Sequence, residues 1–591
     1  MDTVKIIMID SGVGEFQKNL CKNHEQFLCE EEYVDTIGHG CAVFHILNSS
    51  DIEVECHKIT DRDEIEEDVL LQKLMDLTRR EDLGNTVINI SMGITLCDKK
   101  EEFARVCGEL KKKGSIIVAA FDNDGAVSYP AALPNVIGVD TSRKCRKLTE
   151  YEFVEGSIIN IRGFGGVQQL PDIYGRRVSY IGSSFVAPHI SLKVAKIIRD
   201  YKLDFDGVLS KLKENAIKIY RAEQTQIYRQ KKPKIKRAIA LPLNKEIRNL
   251  LRYPELLTFE INGVYDFHHM RVVNKKVSHI IGKEIMPDLI VGNVCSIDWD
   301  GDFDTVILGH MEEINHTLHI NYTEQIIKEA RTHGKKVYAF DPLHKFSEAE
   351  DIDFVYIDKS YIPENRFGKQ CQIHCPVVGI FGTSSKQGKF TLQLELRKRF
   401  INRHYNIAQL STEPNGLLYG MDAVYPMGYG GNIGVSSYDE IMVINNIVDQ
   451  IVKDDTDLLL LGSQSQTVAY SSQNASLYAL ENANLLLATF PDIIILCVNY
   501  FDDFDYIVRT IRYLEGIVDS KVIAIVVSPF QIEYSGSSML RTTYYASDKD
   551  ILECLVRLQE RTGIRTFRLN QEKEIDELCN LCIEVLSQGE S

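Results

Sequence analysis

Apolar runs about the length of one strand alternate with amphipathic, helix-like stretches through the first 200 residues. In the helix-like stretches the apolar residues recur with the period of one helix face. The strand-like runs are 3–9, 53–59, 86–91, 115–120 and 135–139, and the helix-like stretches are 64–79, 100–113 and 184–200. Because short buried strands separated by helices are typical of parallel sheets, this pattern predicts a parallel sheet with helices on both faces.

The same alternation begins again twice in the rest of the chain. Between about 250 and 370 the strand-like runs are 304–309, 336–340 and 353–358, with a helix-like stretch at 322–333. From Pro376 onward the apolar runs are 377–381, 457–462, 492–497 and 521–527, and the first is followed at once by a glycine-bearing turn and a helix-like stretch. A chain of 591 residues exceeds what one core holds, so several domains are expected.

We therefore predict an α/β protein with three α/β domains, at 1–205, 251–372 and 373–591, and a basic linker at 206–250. The linker contains a basic cluster, Lys231–Arg237, in an otherwise acidic chain. The cluster predicts a solvated segment interrupted by Pro233, and the alternative is a site for an acidic partner.

Composition narrows the class of protein. The chain is 44% hydrophobic and 26% charged, as is typical of globular proteins, and its net charge of −17 argues against nucleic-acid binding, which needs a basic surface. Neither a secretory signal nor about 18 consecutive apolar residues can be found, so we expect no membrane span and a cytoplasmic location. The 14 cysteines are scattered through apolar segments, as expected of reduced thiols.

Two cysteine pairs have spacings that could belong to a metal site. They are Cys371 with Cys375, next to His374, and Cys579 with Cys582. A structural zinc site needs four ligands, usually from two such pairs close in space. The second pair falls on the apolar face of a helix-like stretch, so we favour core positions and predict no metal, with a metal site as the alternative.

Four short stretches carry the chemistry of a serine protease. Asp10 ends an apolar run, His39 lies between two glycines, Asn123 follows the apolar run at 115–120, and Ser184 precedes a helix-like stretch. A serine hydroxyl becomes a nucleophile when an imidazole takes its proton, and a buried carboxylate must hold that imidazole. A side-chain amide can bind the oxyanion that forms. The order Asp, His, Asn, Ser therefore predicts an acyl-transfer site.

These stretches resemble the subtilisin-like serine protease family over about the first 200 residues. The resemblance implies that Asp10, His39 and Ser184 form the triad and that Asn123 supplies the oxyanion amide. It also implies that Ser91, Met92 and Gly93 form the edge along which an extended substrate docks. The chain departs from the family at Cys41 and Ser183, where threonine is usual, at Phe185, where methionine is usual, and at Phe121-Asp122, where one glycine is expected.

A second motif, Gly382–Thr391, lies between a predicted strand and a predicted helix. That context predicts a phosphate-binding loop, in which Gly388, Lys389 and the helix start meet the phosphates and Thr391 meets Mg²⁺. Five residues rather than four separate Gly382 from Gly388, and Phe390 follows Lys389 directly. The alternative is a glycine turn without a nucleotide.

This part of the chain resembles P-loop proteins of the dethiobiotin-synthetase-like group and, more closely, those of ribosomal peptide maturation systems. The resemblance implies ATP or GTP with Mg²⁺ at Gly382, Gly388, Lys389 and Thr391, with Gln464 and Gln466 nearby. Gly462, Ser463 and Gln464 stand where a nucleotide hydrolase carries a Mg²⁺-orienting acid, so nucleotide binding is expected more than hydrolysis.

Together these patterns predict an intracellular serine endopeptidase that processes a leader-bearing precursor peptide and has a nucleotide-binding C-terminal domain. Proteolysis itself is expected to need no cofactor. The alternative is a catalytically weak peptide-binding scaffold or regulator whose main activity is nucleotide binding.

Overall fold

The computed structural model describes most of the chain. The described residues are 4–18, 27–29, 33–48, 52–62, 64–123, 125–222, 230, 232–267, 271–282, 288–346, 351–427, 433–470, 473, 478–534 and 541–588. Lys231 of the basic cluster and Asp124 of the oxyanion stretch lie outside them. The chain divides into two compact units, residues 1–226 with 363–374 (unit 1) and residues 227–362 with 375–591 (unit 2).

Unit 1 is an α/β layer structure. Its strands are β1 (Lys5–Asp10), β2 (Phe27–Cys29), β3 (Glu53–Lys58), β4 (Thr86–Ile90), β5 (Ile116–Ala120), β6 (Val136–Ser142), β7 (Tyr151–Glu155), β8 (Ile161–Phe164), β9 (Gln168–Pro171), β10 (Arg177–Tyr180) and β11 (Lys218–Arg221). Its helices are α1 (Glu15–Lys18), α2 (His39–Leu47), α3 (Glu67–Thr78), α4 (Lys100–Lys112), α5 (Ala187–Tyr201) and α6 (Phe205–Glu214).

Nine of these strands form one sheet in the order β11-β7-β8-β6-β5-β4-β1-β3-β2. All neighbours are parallel except β7 and β8. Successive residues of β1 point to opposite faces, so Ile6 and Met8 join one core and Ile7 and Ile9 the other. Burial of one such aliphatic side chain stabilises the folded state by about 1.5–3 kcal/mol. Because both faces of the sheet are covered, the sequences of its strands are continuous apolar runs.

The segment Pro363–His374 returns to unit 1 from far along the chain. The N–H of Val127 donates to the Gln370 carbonyl at 2.9 Å, and Thr95 Oγ1 donates to Gln372 Oε1 at 2.9 Å. Cys371 is buried in the core that also contains Ile7 and Ile9. This return was not predicted, since nothing in the local sequence shows which distant surface the segment covers.

Unit 2 contains two further parallel sheets. Its strands are β12 (Arg237–Leu241), β13 (Glu260–Asp266), β14 (Gly292–Asn293), β15 (Thr305–Leu308), β16 (Lys336–Ala339), β17 (Ile352–Phe354), β18 (Val377–Gly382), β19 (Ile407–Ser411), β20 (Ala423–Val424), β21 (Leu458–Gly462), β22 (Ile493–Asn499), β23 (Lys521–Ser528), β24 (Phe530–Tyr534), β25 (Arg541–Tyr545) and β26 (Arg565–Arg568). Its helices are α7 (Lys245–Arg252), α8 (Val277–Ile281), α9 (Glu312–Leu318), α10 (Tyr322–Thr332), α11 (Lys389–Asn402), α12 (Ser437–Ile451), α13 (Leu480–Thr489), α14 (Phe504–Ile517), α15 (Asp548–Thr562) and α16 (Glu572–Gln588).

The middle sheet has the order β14-β13-β12-β15-β16-β17, and the C-terminal sheet has the order β20-β19-β21-β18-β22-β23-β26. One apolar core joins the two lobes, because Phe390, Leu394 and Tyr419 of the C-terminal lobe pack with Leu250 and Tyr338 of the middle lobe. The lobes of unit 2 are therefore packed against each other through side chains as well as through the chain connection.

Residues 206–250 do not form the linker that their basic cluster suggested. This range contains most of α6, edge strand β11 of the unit 1 sheet, central strand β12 of the middle sheet and the start of α7. Strand β12 is only five residues long and follows directly after the lysine-rich run, so its apolar signal is short. Its burial between β13 and β15 nevertheless fixes it as a strand.

Within the described residues, no helix combines the length and the apolarity that crossing a bilayer requires. Cys579 and Cys582 lie buried in the core of the C-terminal lobe on α16, the location that helical periodicity predicted.

Candidate active site and nucleotide site

The first two triad candidates are in contact. Asp10 is the last residue of β1 and is fully buried, and Oδ1 of Asp10 lies 2.7 Å from Nδ1 of His39, the first residue of α2. The backbone N–H of Ser11 donates to the same oxygen at 2.8 Å. With Nδ1 facing the carboxylate, Nε2 is the nitrogen of His39 that can take up a proton.

The backbone at Gly40 makes this contact possible. A Cβ at Gly40 would lie 2.0 Å from the Gly12 carbonyl oxygen, so only glycine allows α2 to approach the loop after β1 this closely. The glycines around His39 were noted in the sequence, and their role is this close approach of two backbones.

Asp35, which the sequence did not single out, holds the start of α2. Its Oδ1 accepts the N–H groups of Ile37 and Gly38 at 2.9 and 3.0 Å, and its Oδ2 accepts the N–H of Cys41 at 2.8 Å. Ser11 Oγ donates to Asp35 at 3.0 Å and accepts from the N–H of Gly40 at 2.9 Å. The carboxylate thereby satisfies helix-start donors and ties α2 to the loop that carries Asp10.

Cys41, two residues after His39, stands where the subtilisin-like family usually has threonine, and it is part of the core. The side chain is fully buried, and burial together with the neighbouring Asp35 carboxylate raises the pKa of the thiol far above its usual value. A thiol held in its neutral form is a poor nucleophile, so the Cys41 thiol is not suited to attack a substrate.

Ser184 lies in a 3₁₀ turn, Ser183–Phe185, directly before α5. The turn packs against α2, and the ring centroids of Phe185 and His39 are 5.2 Å apart. Phe185, where the family usually has methionine, therefore forms one wall beside the imidazole. The structure thus brings the segment that carries Ser184 to the helix that carries His39.

Asn123 contacts Ser183, the residue that precedes Ser184. The N–H and the hydroxyl of Ser183 both donate to Oδ1 of Asn123 at 2.9 Å, and the Ser183 hydroxyl also contacts the Phe121 carbonyl. A Cβ at Gly182, whose φ is +123°, would lie 2.4 Å from Oδ1 of Asn123. Since Oδ1 is engaged by Ser183, the Nδ2 group is the end of the amide that remains to donate. The extra residue at Phe121-Asp122 therefore does not carry Asn123 away from the segment that contains Ser184.

The predicted substrate edge follows directly after β4. Ser91 is buried, whereas Met92 and Gly93 are half-buried, and Ile94 forms an isolated antiparallel bridge with Tyr129. Beneath this edge, Ser191 of α5 donates to Asn89 at 2.8 Å and Asn89 donates to Ser91 at 2.9 Å. This buried chain of hydrogen bonds links the helix that follows Ser184 to the edge, and the sequence did not predict it.

The second motif forms a strand, a loop and a helix, as the sequence predicted. Gly382 ends β18, Gly388 has a φ of +84°, and Lys389 begins α11. Nζ of Lys389 donates to the carbonyls of Ser384 and Ser465, each at 2.8 Å. A buried ammonium held at a helix start by carbonyls alone is an arrangement that fits an anionic ligand.

The charge state of Lys389 depends on its surroundings. Burial, reinforced by the charge of Lys245, lowers its pKa to about 8, although the carboxylates of Glu413 and Asp502 oppose the shift. A phosphate near Nζ would favour the charged form.

Thr391, which was expected to meet Mg²⁺, is nine-tenths buried and is in hydrogen-bonding contact with the Tyr253 phenol of the middle lobe. The strand next to β18 on one side, β21, ends at Gly462 and is followed by Ser463 and Gln464. The donors at Lys389 therefore fit a phosphate, whereas no acid stands at the end of β21 to orient a metal ion.

One family model matches part of the chain. Residues 366–569 match the model of a domain of unknown function, described as the DUF1611_C P-loop domain. A comparison with curated proteins finds no match.

Solved structures similar to the chain fall into two groups. A DUF1611 family protein from Anabaena variabilis has 13% identity and a TM-score of 0.41, covering 59% of this chain and 99% of its own. The epidermin leader peptide processing serine protease of Staphylococcus aureus has 20% identity and a TM-score of 0.30, covering 36% of this chain and 69% of its own. The nisin leader peptidase of Lactococcus lactis has 16% identity and a TM-score of 0.28, covering 36% and 82%.

The chain is therefore a mixed α/β protein with several parallel sheets. It has subtilisin-like structural neighbours over about a third of its length and a P-loop-like DUF1611 domain at residues 366–569.

Proposed function

We propose that unit 1 is a serine endopeptidase. The observation that supports this proposal most directly is the 2.7 Å contact between buried Asp10 and His39, next to the turn that carries Ser184. In this proposal His39 Nε2 takes the Ser184 proton while Oγ attacks the peptide carbonyl, and the resulting imidazolium is stabilised by Asp10.

Asn123 Nδ2 binds the oxyanion in the same step, together with a backbone N–H at the start of the turn. The imidazolium then protonates the leaving amine, and water releases the acyl group by the reverse sequence of proton transfers. The substrate lies extended along Ser91–Gly93, where a peptide can add backbone hydrogen bonds to the edge.

We propose a leader-bearing precursor peptide as the substrate class. The support is the sequence resemblance of the C-terminal half to P-loop proteins of peptide maturation systems, joined in one chain to the protease-like unit. Leader peptides of the kind that the epidermin and nisin proteases remove are the substrates to test first.

The decisive experiment labels the protein with a fluorophosphonate probe, which reacts with an activated serine. The wild-type protein is expected to be labelled, the Ser184→Ala variant to be unlabelled, and Ser179→Ala, which changes an exposed serine on β10, to be labelled like wild type. Labelling that survives in Ser184→Ala contradicts the triad assignment. A folded wild-type protein that takes up no label contradicts the enzyme proposal and favours the peptide-binding scaffold.

We also propose that the C-terminal lobe binds ATP or GTP through Gly388, Lys389 and the N-terminus of α11. The support is the buried ammonium of Lys389 at the helix start. Nucleotide affinity is expected to fall at least about tenfold in Lys389→Ala, since one charge-assisted contact is worth about 1.5–3 kcal/mol. Lys398→Ala, a change on the same helix where the side chain is 46% exposed, is the control. Equal affinity in wild type and Lys389→Ala contradicts the proposal.

A further inference from the structure

A second histidine and aspartate pair lies in the middle lobe of unit 2. Nδ1 of His310 is 2.6 Å from Oδ1 of Asp341, and Oδ2 of Asp341 accepts the N–H of Met311 at 2.7 Å. The carboxylate thus fixes the imidazole ring and the backbone next to it. As in the pair of Asp10 and His39, Nδ1 faces the carboxylate, and Nε2 of His310 is the nitrogen that can exchange a proton.

The position of this pair in the sheet is the second observation. Leu308 pairs with Ala339 at the ends of the parallel strands β15 and β16, and His310 and Asp341 each follow two residues later. In the sheet, β13 follows β12 on one side, and β16 follows β15 on the other side. The direction in which successive strands are added therefore reverses between β12 and β15, next to the strand end that carries His310. In open parallel sheets, ligands bind at the carboxyl ends of the strands at such a switch point.

A loop at the carboxyl end of the C-terminal sheet contacts the loop after β12. Lys245, at the start of α7 after β12, donates to Glu413, which follows β19, at 2.6 Å. Asn415 Nδ2 donates to the Glu246 carbonyl at 3.2 Å. The loops after β12 and after β19 are therefore in direct contact across the two lobes.

Glu413 connects the pair to the nucleotide site electrostatically. Burial lowers the pKa of His310, but the hydrogen bond and charge of Asp341, with the carboxylates of Glu246 and Glu413, outweigh burial and raise it. The Glu413 carboxylate also acts on the pKa of Lys389. One buried carboxylate is thus within electrostatic range of both the imidazole and the proposed phosphate-binding ammonium.

Buried polar atoms without a hydrogen-bond partner in the described part of the chain lie at the same strand ends. Among the described residues, the buried atoms Asn244 Nδ2, Asn415 Oδ1 and Ser463 Oγ have no hydrogen-bond partner. Asn415 is fully buried and Ser463 is 5% exposed, and an unmet polar group at such a place is costly. These atoms lie after β12, after β19 and after β21, at the carboxyl ends of strands in the two sheets of unit 2.

We infer that unit 2 contains a second catalytic site, in which His310, held by Asp341, is the general base for a hydroxyl group that attacks the terminal phosphate of a nucleoside triphosphate bound at Lys389. The inference rests on the proposed nucleotide binding at Lys389. The acceptor oxygen forms the new P–O bond, the bond from the terminal phosphorus to the bridging oxygen breaks, and the nucleoside diphosphate leaves with the electron pair. The proton of the hydroxyl passes to His310 Nε2 and then to solvent. Water is the simplest acceptor, and the products are then nucleoside diphosphate, inorganic phosphate and a proton.

The test measures phosphate release from ATP and from GTP with Mg²⁺, together with nucleotide affinity, on the full chain. The His310→Asn variant is expected to release phosphate at least about 100-fold more slowly than wild type with unchanged affinity, because general-base catalysis contributes roughly 10²- to 10⁴-fold. His319→Asn is the matched control, since His319 is an exposed residue of the same lobe with a φ of +55°, which asparagine tolerates. This control is expected to behave as wild type.

Asp341 is a positioning residue, and its test is the pH profile of phosphate release. Because Asp341 raises the pKa of His310, Asp341→Asn is expected to move the acidic limb of the profile to lower pH as well as to reduce the rate. A merely structural role would lower the rate without moving the limb, and that result would overturn this assignment.

The outcomes separate this inference from the nucleotide proposal. Absence of ATP and GTP binding overturns the proposed nucleotide site and, with it, the second catalytic site. Binding without phosphate release in wild type, or equal release in wild type and His310→Asn, overturns the second catalytic site alone and leaves nucleotide binding in place.

Discussion

The backbone N–H of Ser183 donates to Oδ1 of Asn123 at 2.9 Å, which orients the amide of a residue 60 positions earlier in the chain. The Ser183 hydroxyl donates to the same oxygen at 2.9 Å. These contacts orient the side chain so that its Nδ2 group is the donor end of the amide. Ser183 therefore positions the amide that we propose for the oxyanion site.

Removal of the Asn123 amide is expected to slow proteolysis. In Asn123→Ala, kcat should fall by about 10²- to 10³-fold with little change in KM, because the oxyanion contact forms in the transition state. Steady-state kinetics on a peptide substrate measures this. Ser183→Thr, which keeps the hydroxyl, should retain most activity, whereas Ser183→Ala should lose part of it. An Asn123→Ala enzyme with wild-type kcat would show that Asn123 does not bind the oxyanion.

Gly40 is expected to tolerate no side chain. A Cβ there would lie 2.0 Å from the Gly12 carbonyl oxygen, so Gly40→Ala must push α2 away from the loop after β1. The free energy of unfolding should fall by about 1–3 kcal/mol, as is usual for overpacking, and activity should fall because His39 moves with α2. Denaturant unfolding and peptide cleavage measure the two effects.

Gly108→Ala is the matched control for Gly40→Ala. Gly108 lies inside α4, and its added Cβ would have a nearest neighbour at 3.4 Å, the Asn135 side chain. Alanine is the better helix former by about 1 kcal/mol, so this variant should be as stable as wild type or more so. Equal loss of stability in both variants would contradict the steric argument for Gly40.

Asp35 is expected to support both stability and catalysis. In Asp35→Ala, the N–H groups of Ile37, Gly38 and Cys41 lose their shared acceptor, and a lost helix-start acceptor typically costs about 0.5–2 kcal/mol. Because these donors hold α2 in place, kcat should fall while the fluorophosphonate probe still reacts slowly with Ser184. Thermal unfolding and labelling rates check this, and wild-type values in both would show that α2 is held by other contacts.

Regular elements were predictable in unit 1 because its buried strands form continuous apolar runs. Each predicted strand, from 3–9 to 135–139, and each predicted helix there has a counterpart within a few residues. The sheet order could not be read from the pattern, since it depends on contacts between distant strands. Strand β12 was not predicted, because it is short and follows a basic run.

The candidate site was predictable where a short motif marks it. Asp10, His39 and the segment around Ser184 belong to such motifs, and the structure brings their segments together. Asp35 and Asp341 have no local signature, because each acts on a residue that only the fold brings near. The carboxylate of Asp341 meets His310 through the pairing of two strands, which spacing along the chain does not encode.

The affinity of the C-terminal lobe for nucleotides is expected to fall as pH rises above about 8. In the free protein the pKa of Lys389 is lowered to about 8, so below that pH the ammonium is already charged and contributes no pH dependence. Above it the group is neutral, and binding a phosphate must restore the charge by taking up a proton. The dissociation constant should therefore rise by up to about tenfold per pH unit until the pKa of the complex is reached. The nucleotide phosphates titrate near pH 6, well below this range.

Titration of a fluorescent ATP analogue between about pH 6.5 and about pH 9.5 measures the effect. Lys389→Met should bind more weakly with no loss above pH 8, whereas Lys398→Met should follow wild type. A wild-type dissociation constant that stays level across this range would show that the Lys389 ammonium does not contact the phosphates.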